Sequence, residues 1–449
     1  MIANRLIVMQ NYKSMKLTAT ILAVAELFVF AGQGKAQATT ATVSWSTSHQ
    51  TIDGFGAFAD HIKNVTTAQT DLFFSTNSGV GFSLLRVEIP PDGTVATTKG
   101  CAFMQQAVAR GVRVWASSWS PPASMKTNNN VNNGGYLLAG SYQAYADYLA
   151  SYVQNVKSQC GVELYALSVQ NEPDMNTTYA SCLWTATNLQ DFITNNLGPT
   201  LAKDGIATKL MLPEHSTWDF SLADATMNDS TAASYVSIVA THDYGDGTIA
   251  PYSLAQNQGK HLWETEVSDY GPVDTGMVSA INYANKIHNT LVNANGNAWH
   301  YWWLLGSSDN EALIPDYVNP AKRLYAIGNY SRFVRPGWVC IDATKNPASG
   351  ISISAFKDPS SGQFAIVAIN DNYSNTSLSF PFSGFTAGTV TPWITDATRN
   401  LAQQSSVTAG SNFTYSLPAR SITTFVGTTT SAYLPNPFVG RRLEFDRQR

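Results

Sequence analysis

The sequence predicts a (β/α)₈ TIM barrel with an attached all-β side domain. Between residue 52 and about residue 335, eight apolar strand-like runs alternate with helical stretches at roughly 25–50 residues per unit, the spacing of strand-plus-helix repeats. After residue 340 the runs turn short, β-branched and alternating, separated by turn-formers such as "DPSSGQ" and "NDNYSN". A chain of 449 residues that is 44% hydrophobic and 13% charged can bury a core of that size.

The elements follow in order. Residues 1–38 carry Lys13 and Lys16, the apolar run "LTATILAVAELFVFAG" and an Ala-Gln-Ala site at Ala36–Ala38, the layout of a secretory signal peptide. Glu26 interrupts the run, which is short for a membrane span. Residues 39–51, "ATVSWSTSHQTI" in texture, are expected to add a strand to the β domain. Residues 52–338 form the catalytic barrel, with strands "IDGFGAF" (52–58), "SLLRVEI" (83–89), "VRVWASS" (112–118), "LYALSVQN" (164–171), "KLMLPE" (209–214), "SIVATHDY" (237–244), "HLWETE" (261–266) and "AWHYWW" (298–303). Helices such as "CAFMQQAVARG", stopped by Gly111, fill the intervals. A doubly wound open sheet is the competing arrangement, but no glycine-rich nucleotide fingerprint follows the first strand. Residues 339–427 form the all-β side domain, and 428–449, with clustered arginines, read as a solvated tail.

Composition excludes several functions. A net charge of −4 without a basic, aromatic-interleaved patch argues against nucleic acid or an anionic membrane as partner. The four cysteines, Cys101, Cys160, Cys182 and Cys340, form no C-x-x-C, so neither a zinc site nor a redox motif is expected. Export permits disulfides; Cys101 with Cys160 is the favoured pair because both fall beside predicted helices of neighbouring units, with free buried thiols as the alternative. No metal or cofactor is expected, and the chain is expected to act as a monomer, outside the cell or in the periplasm.

In such a barrel the working residues stand at the C-terminal strand ends. Collected there are Arg86 and Glu88, Trp119, Asn171 and Glu172, Glu214 and His215, His242 to Tyr244, Glu266, and Trp302 and Trp303. A rim of carboxylates and aromatics without multi-His spacing suggests carbohydrate chemistry over metal chemistry. In "LWETEVSD", Glu264 and Glu266 are two apart, which on a strand gives them one face. Glu266 is then at the tip and Glu264 about 6.6 Å lower, out of reach of a sugar on the rim. Glu264 is expected to be a structural acid paired with a neighbour such as Arg86, and Glu214 a supporting acid.

The pieces "DGFGAF", "LLRVEI", "SSWSPPASMKTN", "SVQNEPD", "HDYG", "LWETE" and "LPARSITTFVG" together resemble glycoside hydrolase family 30, most closely its bacterial xylanases, over residues 45–427. The resemblance implies a retaining hydrolase with Glu172 as acid/base and Glu266 as nucleophile, Trp263-Glu264-Thr265-Glu266 fitting the pattern W-x-[ST]-E. Asn171 is expected to bind the sugar 2-hydroxyl and Arg86 to orient and ionise the nucleophile. Trp119, Tyr244 and one of Trp302 or Trp303 are expected to stack on sugar, only one of the pair because adjacent strand residues face opposite ways. His242 is a substrate contact or a structural histidine. The substrate implied is xylan, cut at β-1,4-xylosidic bonds. One departure stands out: members that require glucuronate carry an arginine soon after the strand-eight tryptophans, and here "WWLLGSSDNEALIPDYVNP" has no basic residue before Lys322, so dependence on glucuronate is not expected. The alternatives are another β-linked glycan of the family, such as β-1,6-glucan or a glucosylceramide-type lipid, or a non-catalytic glycan-binding protein.

Overall fold

The computed structural model describes residues 39–59, 65–95, 98–245, 247–306 and 309–432. The expected signal peptide and residues 433–449 lie outside them. Strands β1 (Thr39–Thr40) and β2 (Val43–Thr51) lead into eight parallel strands: β3 (Gly54–Phe58), β4 (Leu84–Ile89), β5 (Arg113–Ser118), β6 (Leu164–Ser168), β7 (Lys209–Thr217), β8 (Val236–Tyr244), β9 (His261–Glu264) and β10 (Ala298–Leu305). Each pairs with the next, and β10 pairs with both β3 and β9, closing the barrel. A short β11 (Ala312–Ile314) adds itself parallel to β10. The strands are nearly continuous apolar runs because both faces are covered. Leu84, Trp115, Ala166, Met211, Ile238, Trp263 and Ala298 fill the interior, and a second layer of aliphatic and aromatic side chains lies between the strands and the surrounding helices.

The helices follow from pattern and caps. Helix Tyr142–Cys160 buries Tyr145, Leu149, Tyr152, Val156 and Cys160 along one face and ends at Gly161, whose φ of 65° suits a residue without Cβ. Unit six departs from the repeat: among the described residues between β8 and β9 the only α-helix is the single turn Ser253–Gln256.

The second sheet contains β12 (Val339–Ala343), β13 (Ile351–Lys357), β14 (Gln363–Asn370), β15 (Thr376–Ser383), β16 (Phe385–Thr395), β17 (Ala402–Gln403), β18 (Val407–Gly410), β19 (Asn412–Leu417) and β20 (Ser421–Ala432). The sheet runs β1-β15-β2-β12-β13-β14-β20-β16-β17, with β18 on β16 and β19 on β15. Thus β2, from the start of the described chain, lies between β12 and β15. One face, including Phe364, Phe380, Phe413 and Phe425, makes the domain's own core. Phe356, Val367, Ile369 and Ile422 join the barrel's outer layer. Asn329 of helix Lys322–Ser331 fastens the two parts, donating to the carbonyl of Trp393 at 3.1 Å and to Thr424 Oγ1 at 2.9 Å. Residues 428–432, read from the sequence as the start of a tail, instead continue β20 and pair with β14 and β16; the alternation of "SITTFVGTTTSA" carries the ladder five residues further. No helix among the described residues is long and apolar enough to cross a membrane.

Cys101 and Cys160 form a disulfide joining helix Thr98–Val108 to the end of helix Tyr142–Cys160, while Cys182 and Cys340 are buried free thiols. The bridge spans 59 positions of sequence, so its loss enlarges the entropy of the unfolded chain. A Cys101→Ser/Cys160→Ser variant should lose about 2–4 kcal/mol in denaturant unfolding, and dithiothreitol should lower the wild type towards the variant without affecting the variant.

Candidate active site

The site is built around Arg86, the inward-facing third residue of β4. Its side chain is fully buried. One guanidinium nitrogen bonds a Glu266 carboxylate oxygen; the other reaches Glu214 Oε1 at 2.9 Å and Asn171 Oδ1 at 2.6 Å. Four rings surround it: the guanidinium carbon is 4.6 Å from the centroid of Trp119, 5.2 Å from Trp115, 5.5 Å from Phe58 and 5.8 Å from Trp302. A planar cation tolerates such a setting because it is weakly hydrated, stacks on rings and bridges several carboxylates at once.

The carboxylates come from strand ends. β6 stops at Ser168, three residues before the predicted end, and Val169 to Glu172 continue as a loop. Gln170 holds that loop, donating to the carbonyls of Trp119 (2.7 Å) and Asn171 (2.8 Å). Glu172 has a φ of 44° and Glu214 a φ of 55°, and the Glu172 N–H donates to the Glu214 carbonyl at 3.0 Å. Left-handed backbone at two non-glycine residues costs about 1–3 kcal/mol each, a form of strain that gathers at working sites. Glu172 Oε1 lies 3.2 Å from His242 Nδ1, and Tyr179 donates to Glu172 Oε2 at 3.3 Å. Glu266 receives the Tyr244 hydroxyl on Oε1 at 2.9 Å. Oxygens of Glu172 and Glu266 lie within 4.8 Å of each other.

Charge sets the protonation of these groups. Burial opposes ionisation of Glu214, but Arg86, His242 and Ser117 outweigh it and hold its carboxyl down at about 2. Burial also opposes a charge on His242, yet Glu266, with the contacts to Glu172 and Glu214, lifts it to about 10. Glu172 is likewise raised by burial and brought below its ordinary value by the contact with His242. Burial is the main force lifting Glu266, with His242 and Arg86 pulling it back. Glu172, His242 and Glu266 are also the one His/carboxylate cluster among the described residues compact enough for a metal ion. The three groups are already engaged, Glu266 with Arg86 and Glu172 with His242.

β9 ends at Glu264, and Glu264 and Glu266 meet different partners. The Glu264 side chain accepts the backbone N–H of Glu266 at 2.9 Å and of His300 at 2.8 Å. Arg86 is not its partner, contrary to expectation: two main-chain donors satisfy it, and burial holds its carboxyl far above the ordinary range. Below it, burial pushes His300 down to about 3. The ring is therefore neutral, donating from Nδ1 to the Glu264 carbonyl (2.7 Å) and accepting from Trp115 Nε1 at Nε2 (3.1 Å).

The aromatic residues divide. Trp119 is 7% exposed and tilts against Phe58 at 5.0 Å, so it walls Arg86 more than it faces a ligand. Trp302 stacks flat on Phe58 at 4.6 Å and stays half-buried. Trp303 does not face away from it: the register of β10 against β3 shifts between Tyr301 and Trp303, and the two indoles stack at 5.5 Å. Tyr244 bonds the Glu266 carboxylate instead of offering a stacking face. Sequence reasoning missed Tyr179 and Tyr270, which are 52% and 76% exposed beside the carboxylates; they sit in loops of no recognisable period.

The chain was compared with known proteins. The profile described as "Glycosyl hydrolase family 30 TIM-barrel domain" matches residues 98–293, and "Glycosyl hydrolase family 30 beta sandwich domain" matches residues 337–425. Glucuronoxylanase XynC of Bacillus subtilis (strain 168) is 33% identical over 421 residues, covering 89% of this chain and 95% of that protein. The chain belongs to glycoside hydrolase family 30. This family 30 chain also resembles the crystal structure of the subfamily 8 xylanase Xyn30A from Clostridium acetobutylicum, with TM-score 0.80 and 35% identity over 87% of this chain and all of that one. The catalytic domain of xylanase C from Talaromyces cellulolyticus aligns with TM-score 0.77 and 30% identity, again over 87% and 100%. The protein is a xylanase-like glycoside hydrolase.

Two predictions follow from the charge network. Arg86→Met leaves Glu214 buried without its cation and should cost about 3–5 kcal/mol in denaturant unfolding. Stability should also depend on pH from both sides. Glu214 stabilises the fold above the unfolded carboxyl value, and this is lost as pH falls towards about 2. His242 stabilises it below the unfolded imidazole value, and this is lost as pH rises towards about 10. Melting temperatures should therefore peak between roughly pH 4.3 and 6.5, and His242→Gln should flatten the alkaline arm.

Proposed function

We propose that this family 30 hydrolase is exported and cleaves β-1,4-xylosidic bonds of xylan by double displacement, with Glu266 as nucleophile and Glu172 as acid/base. The observation that carries the reading is the separation of the two carboxyl groups. Oxygens within 4.8 Å match the ~5–5.5 Å of retaining enzymes and are too close to admit an inverting water between them. The substrate is argued from the relatives, one named a glucuronoxylanase and two named xylanases.

Glu266, oriented by Arg86 and Tyr244, attacks the anomeric carbon. Glu172 protonates the departing oxygen and then takes a proton from the incoming water. Asn171 gives its amide oxygen to Arg86, so its N–H groups are those suited to a sugar hydroxyl; a bond that tightens at the transition state raises the rate itself. Trp302, Tyr179 and Tyr270 supply the ring faces for xylose units.

The enzyme does not depend on glucuronate side groups. After β10 the chain offers Asp309 and Glu311, and burial together with Asp309 lifts the Glu311 carboxyl to about 7. Lys322 is committed to the β domain, bonding the Arg399 carbonyl at 3.1 Å and Asn400 Oδ1 at 2.6 Å.

Glucuronoxylan digested by the protein should give cuts unregistered to the side groups, and unsubstituted xylan should be cut as well; chromatography of the products reads both. Glu172→Gln should lose about 10²–10⁴-fold in kcat on xylan, and NMR should detect the β-anomer first. Products with inverted configuration, or a Glu266→Gln protein keeping most of its turnover, would discard the mechanism.

A further inference from the structure

Glu172 has a partner that a lone general acid should not have, a buried imidazole favouring its anion. We infer that His242 holds the proton the reaction uses, so that Glu172 and His242 act as one acid and deliver it through Glu172 to the departing oxygen. The inference rests on the roles given above to Glu172 and Glu266.

The geometry is specific. His242 is fully buried on β8. Its Nδ1 is 3.2 Å from Glu172 Oε1, and its Nε2, which has no hydrogen-bond partner, is 3.8 Å from both Glu214 Oε1 and Glu266 Oε2. The groups facing it are Glu172 from the loop after β6, Glu214 from β7, Glu266 from beyond β9, Arg86 from β4 through its bonds to the last two, and Tyr244 on its own strand with ring centroids 5.9 Å apart. Three carboxylates therefore surround one guanidinium and one imidazole. Without a further proton the site would bury two net negative charges, which is costly; with one proton shared by His242 and Glu172 it buries one.

Charge then stays constant through the chemistry. In the first step the bond from Glu266 to the anomeric carbon forms and the bond to the leaving oxygen breaks, its electron pair staying on that oxygen. The one shared proton passes from His242 through Glu172 to that oxygen, leaving Glu172 anionic and His242 neutral. Glu266 has lost its charge as an ester and the Glu172–His242 pair has gained one, so the pocket still carries a single negative charge. In the second step water attacks, the ester electrons return to Glu266, and the proton of water reloads the pair. The direction fits: the Glu266 charge, 3.8 Å from His242 Nε2, favours the charged imidazole, so its esterification weakens the pair's hold at the stage when Glu172 must be a base. His242 is a positioning residue here, because it touches Glu172 and not the sugar.

The test compares pH profiles of kcat/KM for wild type, His242→Gln, His242→Asn and Glu172→Gln. One substrate is xylohexaose, whose leaving group needs a proton; the other is 2,4-dinitrophenyl β-xylobioside, whose leaving group does not. Both His242 variants should lose at least tenfold more on xylohexaose than on the aryl substrate, and their basic limb should fall by a pH unit or more. Equal losses on both substrates with an unmoved limb would mean a structural role and overturn the inference. Glu172→Gln should show the same split. If it does not, the acid/base assignment fails and the inference with it; if it does while the His242 variants do not, the inference alone fails. Should those variants not fold, 15N-histidine spectra of the wild type decide. His242 should be an imidazolium at pH 8 in the free enzyme and neutral in the 2-fluoroxylosyl-enzyme; a neutral ring in both overturns the inference.

Discussion

The structure turns on one buried cation. Arg86 bridges Glu214, Glu266 and Asn171, which come from three different strands or the loops beyond them. A desolvated charge requires closely fitted partners, so those three side chains have little freedom of placement. The rings of Phe58, Trp115, Trp119 and Trp302 keep water from Arg86, which strengthens each of its electrostatic contacts. The cost of burying the charge and the fixed position of Glu266 have the same origin.

Beneath this layer the barrel supplies a second device. Glu264 takes the N–H of Glu266 and the N–H of His300, bridging β9 and β10 where their own ladder is reduced to a single pair of residues. Glu266 is thus gripped twice, through its carboxylate by a cation and through its backbone by a buried carboxyl group. The two glutamates of "WETE" divide the work by layer. Glu266 joins the Arg86 network and Glu264 the closure of the barrel.

The fold was legible because its signals are periodic. Eight apolar runs, helix stripes such as that of Tyr142–Cys160 and the change to β-branched alternation after residue 340 survive without knowledge of contacts. The site was legible in part, since strand ends are where barrel chemistry gathers and "SVQNEPD" and "LWETE" mark two of them. What could not be read depends on breaks of register. The shift in β10 before Trp303 undoes the two-residue alternation on which the facing of Trp303 was argued, and the partners of Glu264 are main-chain N–H groups that no sequence pattern marks. Arg86 was assigned a role at the nucleophile, but not its tie to Glu214, because left-handed turns at Glu172 and Glu214 bring those chains together. Tyr179 and Tyr270 lie in loops, where tertiary placement and not pattern decides function.

The position of β2 has a consequence for how the molecule comes to be made. Val43 stands opposite Phe382 and Thr51 opposite Val339, so β2 can pair only with strands far along the sequence. Barrel units, whose partners are mostly adjacent in sequence, can condense locally, whereas the side domain closes only when β2 meets β12 and β15. In the interval Val43 and Trp45, buried in the finished molecule, remain an uncovered apolar edge.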